Sequence, residues 1–129
     1  MKLAITGAAT YRDYDHFCRM MQAITVPVTL IITGGREGTE GMARRYAKEY
    51  KVSLLVHHLH TSDSIEWLCG FHALLVSDAD NLLAFQYIGS HAGAVLRTCA
   101  RQAGKRLNTV DLESTSLPYS IAARYGEEI

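Results

Sequence analysis

Short apolar runs alternate with longer stretches of helical period along the chain, a pattern that predicts successive strand–helix–strand units. Strands are expected at residues 2–6, 29–33, 52–56, 82–87 and 107–110. These runs lack strict polar alternation, as strands covered by helices on both faces should. Between them, residues 14–24 place Phe17, Met20, Met21 and Ile24 on one helical face. Residues 39–50 do the same with Met42, Ala43, Tyr46, Ala47 and Tyr50. Residues 64–77 are apolar nearly all round (Ile65, Trp67, Leu68, Phe71, Leu74, Leu75, Val76), which predicts a helix in the core or in a subunit contact. Residues 91–103 carry Ala92, Val95, Leu96, Cys99 and Ala103, and Gly104 stands where a glycine would end the helix. Pro27 separates the first helix from the second strand by pushing Val26 out of the helical region.

With right-handed crossovers, this order predicts an α/β fold: a Rossmann-like three-layer domain with a mainly parallel sheet of about five strands. The domain is expected over residues 1–112. After Asp111 the strand pattern stops, and residues 113–129 read as a C-terminal tail packing on the domain or on a neighbouring subunit.

Composition narrows the function. A chain of 129 residues, 48% of them hydrophobic, suits one domain with a core that needs no covalent staples. Thirteen basic and thirteen acidic residues leave a formal net charge of zero. There is no strong sign of nucleic-acid binding, nor of an anionic membrane surface as partner. A small anion can still be held by backbone N–H groups. Cys18, Cys69 and Cys99 are an odd, scattered set that disfavours disulfides and predicts a reducing compartment. A glycine at position 7 comes too soon for a signal peptide, and no uncharged apolar run approaches the roughly 18–20 residues of a membrane span. A cytoplasmic location and no membrane association are therefore expected.

Open parallel sheets bind ligands beyond the carboxyl ends of their strands. Three strand-to-helix turns here are rich in small residues: Gly7-Ala8-Ala9-Thr10, the run from Gly34 to Gly41, and Gly89-Ser90-His91-Ala92-Gly93-Ala94. In the second turn, Gly34 and Gly35 are expected at positive φ, bringing backbone close to a ligand. Gly38 and Thr39 stand where a helix begins, and its N–H groups favour a phosphate or carboxylate. Thr39 would cap the helix or donate to a phosphate oxygen. Arg36 would reach an anion, and Glu37 and Glu40 suit ribose hydroxyls or a base edge. One such turn would be unremarkable, since these turns use glycine anyway. Three at one sheet edge predict a site for a nucleotide-sized anion. The spacing is not that of a Walker-type phosphate loop, and no dinucleotide fingerprint follows the first strand.

The chain also resembles a known family. Ile5-Thr6-Gly7 followed by Tyr11-Arg12-Asp13-Tyr14-Asp15 is similar to the opening of the YspA/YpsA-related branch of the SLOG superfamily. Ile32-Thr33-Gly34-Gly35-Arg36-Glu37-Gly38-Thr39-Glu40, leading into Ala43, Tyr46 and Ala47, resembles it too. So do Ala79-Asp80-Asn81-Leu82-Leu83-Ala84-Phe85 and Ala100-Arg101-Gln102-Ala103-Gly104-Lys105. The resemblance runs from Met1 to about Leu112. It implies a Rossmann-like domain that binds nucleotides or nucleotide-derived ligands, with Gly7, Gly34, Gly35, Gly38 and Glu40 on the ligand side and Gly89 to Gly93 as a second phosphate-holding loop. Some relatives, the LONELY GUY phosphoribohydrolases, cleave the N-glycosidic bond of nucleoside monophosphates. Their PGGxGTxxE motif is absent from the fourth strand-to-helix turn here, and Gly7-Ala8-Ala9 replaces a Gly-Ser-Arg. Arg12 is the candidate replacement cation.

Other groups carry weaker expectations. His57, His58 and His60 cluster after the third strand, but with only Asp63 nearby no metal site is expected. His91 at a helix start would be a neutral donor to a ligand. Cys18 and Cys99 fall on apolar helix faces. Arg44, Arg45 and Lys48 read as the solvent face of the second helix. A homo-oligomer contact is expected through residues 64–77.

The function expected is binding of a nucleotide or nucleotide-derived small molecule, as a sensor, carrier or sequestering protein, with no cofactor. The ligand-binding set is Gly7, Ala8, Arg12, Gly34, Gly35, Arg36, Glu37, Gly38, Thr39, Glu40, Gly89, Ser90, His91 and Gly93. The enzymatic alternative is a nucleotide N-glycosidase or ribosyl-transfer enzyme, using Glu40 or Glu37 for the chemistry. A third reading is a structural or interaction module.

Overall fold

The computed structural model describes residues 1–57 and 76–112. Its elements are β1 (Lys2–Gly7), α1 (Tyr14–Gln22), β2 (Leu30–Gly34), α2 (Thr39–Glu49), β3 (Ser53–His57), β4 (Asn81–Tyr87), α3 (His91–Ala103) and β5 (Arg106–Leu112). All strand pairings are parallel and the order is β3-β2-β1-β4-β5. The sheet is flanked by helices, as a Rossmann-like three-layer domain requires. The segments expected at residues 58–75, including most of the apolar helix with Cys69, and the tail at 113–129 lie outside the described residues.

Alternation along each central strand divides the core in two. Leu3 and Ile5 of β1 and Leu83 and Phe85 of β4 pack with Phe17 and Met21 of α1 and Met42, Ala43 and Ala47 of α2. Ala4, Leu82 and Ala84 face the other way, onto Leu96 and Ala100 of α3 and onto Val76 and Ala79. Phe17 and Phe85 are fully buried with ring centroids 5.0 Å apart. Such a pair contributes about 0.5–1.5 kcal/mol beyond the area it hides.

The ends of the helices follow local chemistry. Asp13 caps α1 by accepting from the His16 amide at 3.1 Å, and Ser90 caps α3 by accepting from the Gly93 amide at 3.2 Å. Gly104, at φ 70°, closes α3 in the left-handed region. Helix α1 stops earlier than its apolar period suggests. The Ala23 amide is shared between the Arg19 and Met20 carbonyls and the Ile24 amide turns to Met21, three residues back, tightening the last turn ahead of Pro27. Strand β5 runs further than its apolar core, pairing with β4 from Arg106 to Leu112. Asn108, Thr109 and Asp111 are exposed along this edge strand, which is why apolarity alone understates it.

The chain builds β2 and β3 outward on one side of β1, then β4 and β5 on the other. The strand order therefore reverses between β1 and β4. At their carboxyl ends Gly7 lies in register with Phe85. No helix among the described residues is long and apolar enough to cross a membrane.

Candidate functional site

All three glycine-rich turns open at the carboxyl edge of the sheet, because every strand runs the same way. Two of them are tied together at Ala8. Its amide donates to the Phe85 carbonyl at 2.8 Å, and its carbonyl accepts from both the Thr39 amide, at 3.1 Å, and the Thr39 hydroxyl, at 2.9 Å. Gly7 and Gly38 are required by this contact. A Cβ on Gly7 would stand 2.2 Å from the Phe85 carbonyl oxygen and 2.8 Å from the Thr39 hydroxyl. A Cβ on Gly38 would stand 2.4 Å from the Ala9 oxygen. Both glycines thus admit neighbouring backbone.

Positive φ in the second turn falls on Gly38, at 79°, and neither Gly34 nor Gly35 adopts it. Gly34 is the buried last residue of β2, and Gly35 is exposed beside it. Gly38 is also the N-cap of α2. Thr39, fully buried, neither caps the helix nor offers its hydroxyl to a ligand, since that hydroxyl is given to Ala8.

Glu40 is 2% exposed and braces the turn from inside. One carboxylate oxygen accepts from the Thr6 hydroxyl at 2.8 Å and the other from the Arg36 amide at 3.1 Å. Burial pushes its pKa up, against the opposing pull of these two hydrogen bonds and of the Arg36 and Arg44 charges. Arg44 does not belong to the solvent face of α2 assigned to it by the helical period. It is half-buried and its guanidinium donates to the carbonyls of Gly34, at 2.6 Å, and Arg36, at 2.8 Å. A long side chain can lie back over the turn that precedes its helix.

Arg12 and Glu37 form an exposed pair across the mouth of the two turns, 3.8 Å apart. Arg12 also donates to the carbonyls of Ala9 and Tyr11. Beneath them Tyr11 stacks on Phe85, with ring centroids 5.4 Å apart, and its hydroxyl meets the His16 ring. Burial raises the Tyr11 phenol to about 12, keeping it protonated.

The third turn is more open. Gly89, at φ 83°, has nothing within 4 Å of where a Cβ would be, and His91 is exposed at the first position of α3. Ser90 caps the helix and donates its own proton to Gln86 Oε1 at 3.3 Å. Gly93 is buried against the Gln86 side chain, whose Cγ would lie 3.4 Å from a Cβ there. Gln86 was not among the residues singled out by sequence. Its one signal is a polar residue inside the apolar run Leu82 to Tyr87.

His57 hydrogen-bonds Asp78 at 3.0 Å. Its sequence neighbours His58, His60 and Asp63 lie outside the described residues, as does the expected oligomer helix over most of its length. Compared with known proteins, the chain matches no family model and no curated protein.

Proposed function

We propose that this protein binds a nucleotide or nucleotide-derived small molecule at the carboxyl edge of its sheet, as a SLOG-type sensor, carrier or sequestering protein. The observation that carries this reading is the reversal of strand order between β1 and β4, with Gly7 beside Phe85 and helices α2 and α3 both starting at that rim. Open parallel sheets take their ligands at such a reversal, and helix starts favour anions. Arg12, Glu37, His91 and the Gly89–Gly93 backbone line the mouth. Thr39 and Glu40 act behind it, holding the turns in shape. Self-association through the apolar segment at residues 64–77 belongs to the same proposal.

Binding is favoured over cleavage because both oxygens of Glu40 are engaged by protein donors. One feature favours the glycosidase alternative: burial holds the Glu40 carboxyl above the ordinary glutamate value, the direction a general acid needs. The test is a thermal-shift panel of nucleotides joined to native mass spectrometry and to chromatography for released base. A binder is stabilised by about 2.7 kcal/mol at a hundredfold excess over Kd, without turnover. Base release abolished in Glu40→Gln would establish the enzyme instead. A panel with no shift at all would leave a structural or interaction module.

A further inference from the structure

The polar side chains buried among the described residues are Thr6, Thr33, Thr39, Glu40 and Gln86. The first four are fully engaged. Thr6 donates to Glu40, Thr33 to the Ile5 carbonyl at 2.6 Å, Thr39 to Ala8, and Glu40 accepts at both oxygens. Gln86 differs. It is 5% exposed, and among the described residues its amide makes one hydrogen bond, accepted by Oε1 from Ser90. The Nε2 group donates to no described residue. Turning the amide over would exchange the unsatisfied atom without removing it. Buried donors are seldom left this way in a native fold unless a ligand or water takes them.

The position of this side chain points to the ligand. Gln86 ends the buried part of β4, one residue beyond the pairing of Phe85 with Gly7, and its side chain lies against Ser90 and Gly93 in the first turn of α3. That turn contains no acidic residue, whereas the first turn of α2 holds Glu40 and a fully buried Thr39. Of the two helix starts, only that of α3 adds an open approach at Gly89 to its positive end. We propose that Gln86 is a ligand-contacting specificity residue, its Nε2 donating to a phosphoryl oxygen seated on the first turn of α3. This rests on the nucleotide-site reading above and adds to it the side chain that reads the phosphate.

The test uses the full chain with AMP, GMP, CMP, UMP and inorganic phosphate as probes. In wild-type protein, the Gln86 side-chain amide resonances should shift on adding a nucleoside monophosphate, and inorganic phosphate should compete for the same shift. Gln86→Met should weaken that nucleotide at least about tenfold, as loss of a hydrogen bond to a charged group does, with an unchanged or higher melting temperature. Gln86→Glu should weaken it further, because an acceptor then faces the phosphate. If Gln86→Met fails to fold, the wild-type resonances and Gln86→Glu decide. Binding by wild type with silent Gln86 resonances, or with both variants within about twofold of wild type, overturns the proposal and leaves the nucleotide reading standing. Shifted resonances with no competition by phosphate overturn the phosphoryl assignment. Failure of wild type to bind any probe overturns the nucleotide reading and this inference with it.

Discussion

Thr39 gives both its amide and its hydroxyl to the carbonyl of Ala8. One residue of the first turn thus holds the start of α2 through its carbonyl, while its amide is held by Phe85 of β4. Turns from β1 and β2 are locked to the end of β4 by backbone contacts, so the rim between the β1 and β4 ends is preformed. A preformed rim binds without first ordering its own chain, which lowers the entropy cost of association.

This lock predicts unequal costs for two glycines of similar φ. Gly38→Ala places a methyl 2.4 Å from the Ala9 oxygen on a backbone at φ 79°, whereas Gly89→Ala meets open space at φ 83°. Gly89→Ala should cost about 1–2 kcal/mol, the strain of positive φ alone. Gly38→Ala should cost more than about 3 kcal/mol, because the opposing atoms are backbone and cannot swing aside. Urea unfolding of the two variants measures the difference; equal losses would show that the contact between the turns is not tight.

Glu40 predicts a definite pH dependence. Its carboxyl is raised in the folded state, so the native protein holds that proton more tightly than the unfolded chain. The stabilisation this gives is complete below the ordinary glutamate range and is lost as pH rises through the folded value. Glu40→Gln, which keeps an acceptor without the charge, should match wild type near about pH 4 and be at least as stable at pH 7. Glu40→Ala should instead lose about 1–3 kcal/mol, leaving the Thr6 hydroxyl and the Arg36 amide without their acceptor. Denaturant titrations at both pH values separate the two variants.

The sheet was legible in the sequence because its central strands are buried on both faces and so read as unbroken apolar runs. Edge strand β5 was legible only in part, since Asn108, Thr109 and Asp111 interrupt its run while still pairing with β4. The glycines of the rim were visible, but their reason was not. Nothing local in Gly38-Thr39-Glu40 shows that the space beside Gly38 is filled by Ala9, a contact nearly thirty positions away in the chain. Periodicity assigned Arg44 to solvent because it ranks residues by angle around a helix, and a long side chain can escape that angle by reaching backward. Gln86 was hidden for the opposite reason. One amide in an apolar strand is too weak a signal until the partners around it are known.

Arg44 therefore carries a prediction of its own. Its Nη1 donates to two carbonyls of the second turn at once, Gly34 and Arg36, from a rigid planar group, whereas a lysine ammonium is more strongly hydrated and sits on a more flexible stem. Arg44→Lys should lose about 0.5–1.5 kcal/mol, the net worth of a hydrogen bond, and Arg44→Met somewhat more. Amide exchange should quicken at Arg36 and Gly35 in both, with α1 and β5 unaffected. Uniform quickening across the fold would instead mark Arg44 as a general stabiliser.

On the proposed function, Glu37 and Arg12 should separate support from recognition. Their side chains are 87% and 59% exposed and 3.8 Å apart, so the ion pair itself should contribute no more than about 1 kcal/mol. Glu37→Gln should unfold within about 0.5 kcal/mol of wild type, and Arg12→Gln, which also loses the bonds to the Ala9 and Tyr11 carbonyls, within about 1.5 kcal/mol. Ligand affinity should nonetheless move in opposite directions. Removing the carboxylate eases the approach of an anion to the rim, and removing the guanidinium takes away the cation that draws it in. The divergence should shrink at high salt, where exposed charges are screened. Titrating both variants with the same nucleotide at low and high ionic strength measures it. Parallel changes in the two variants would show that neither charge faces the bound anion.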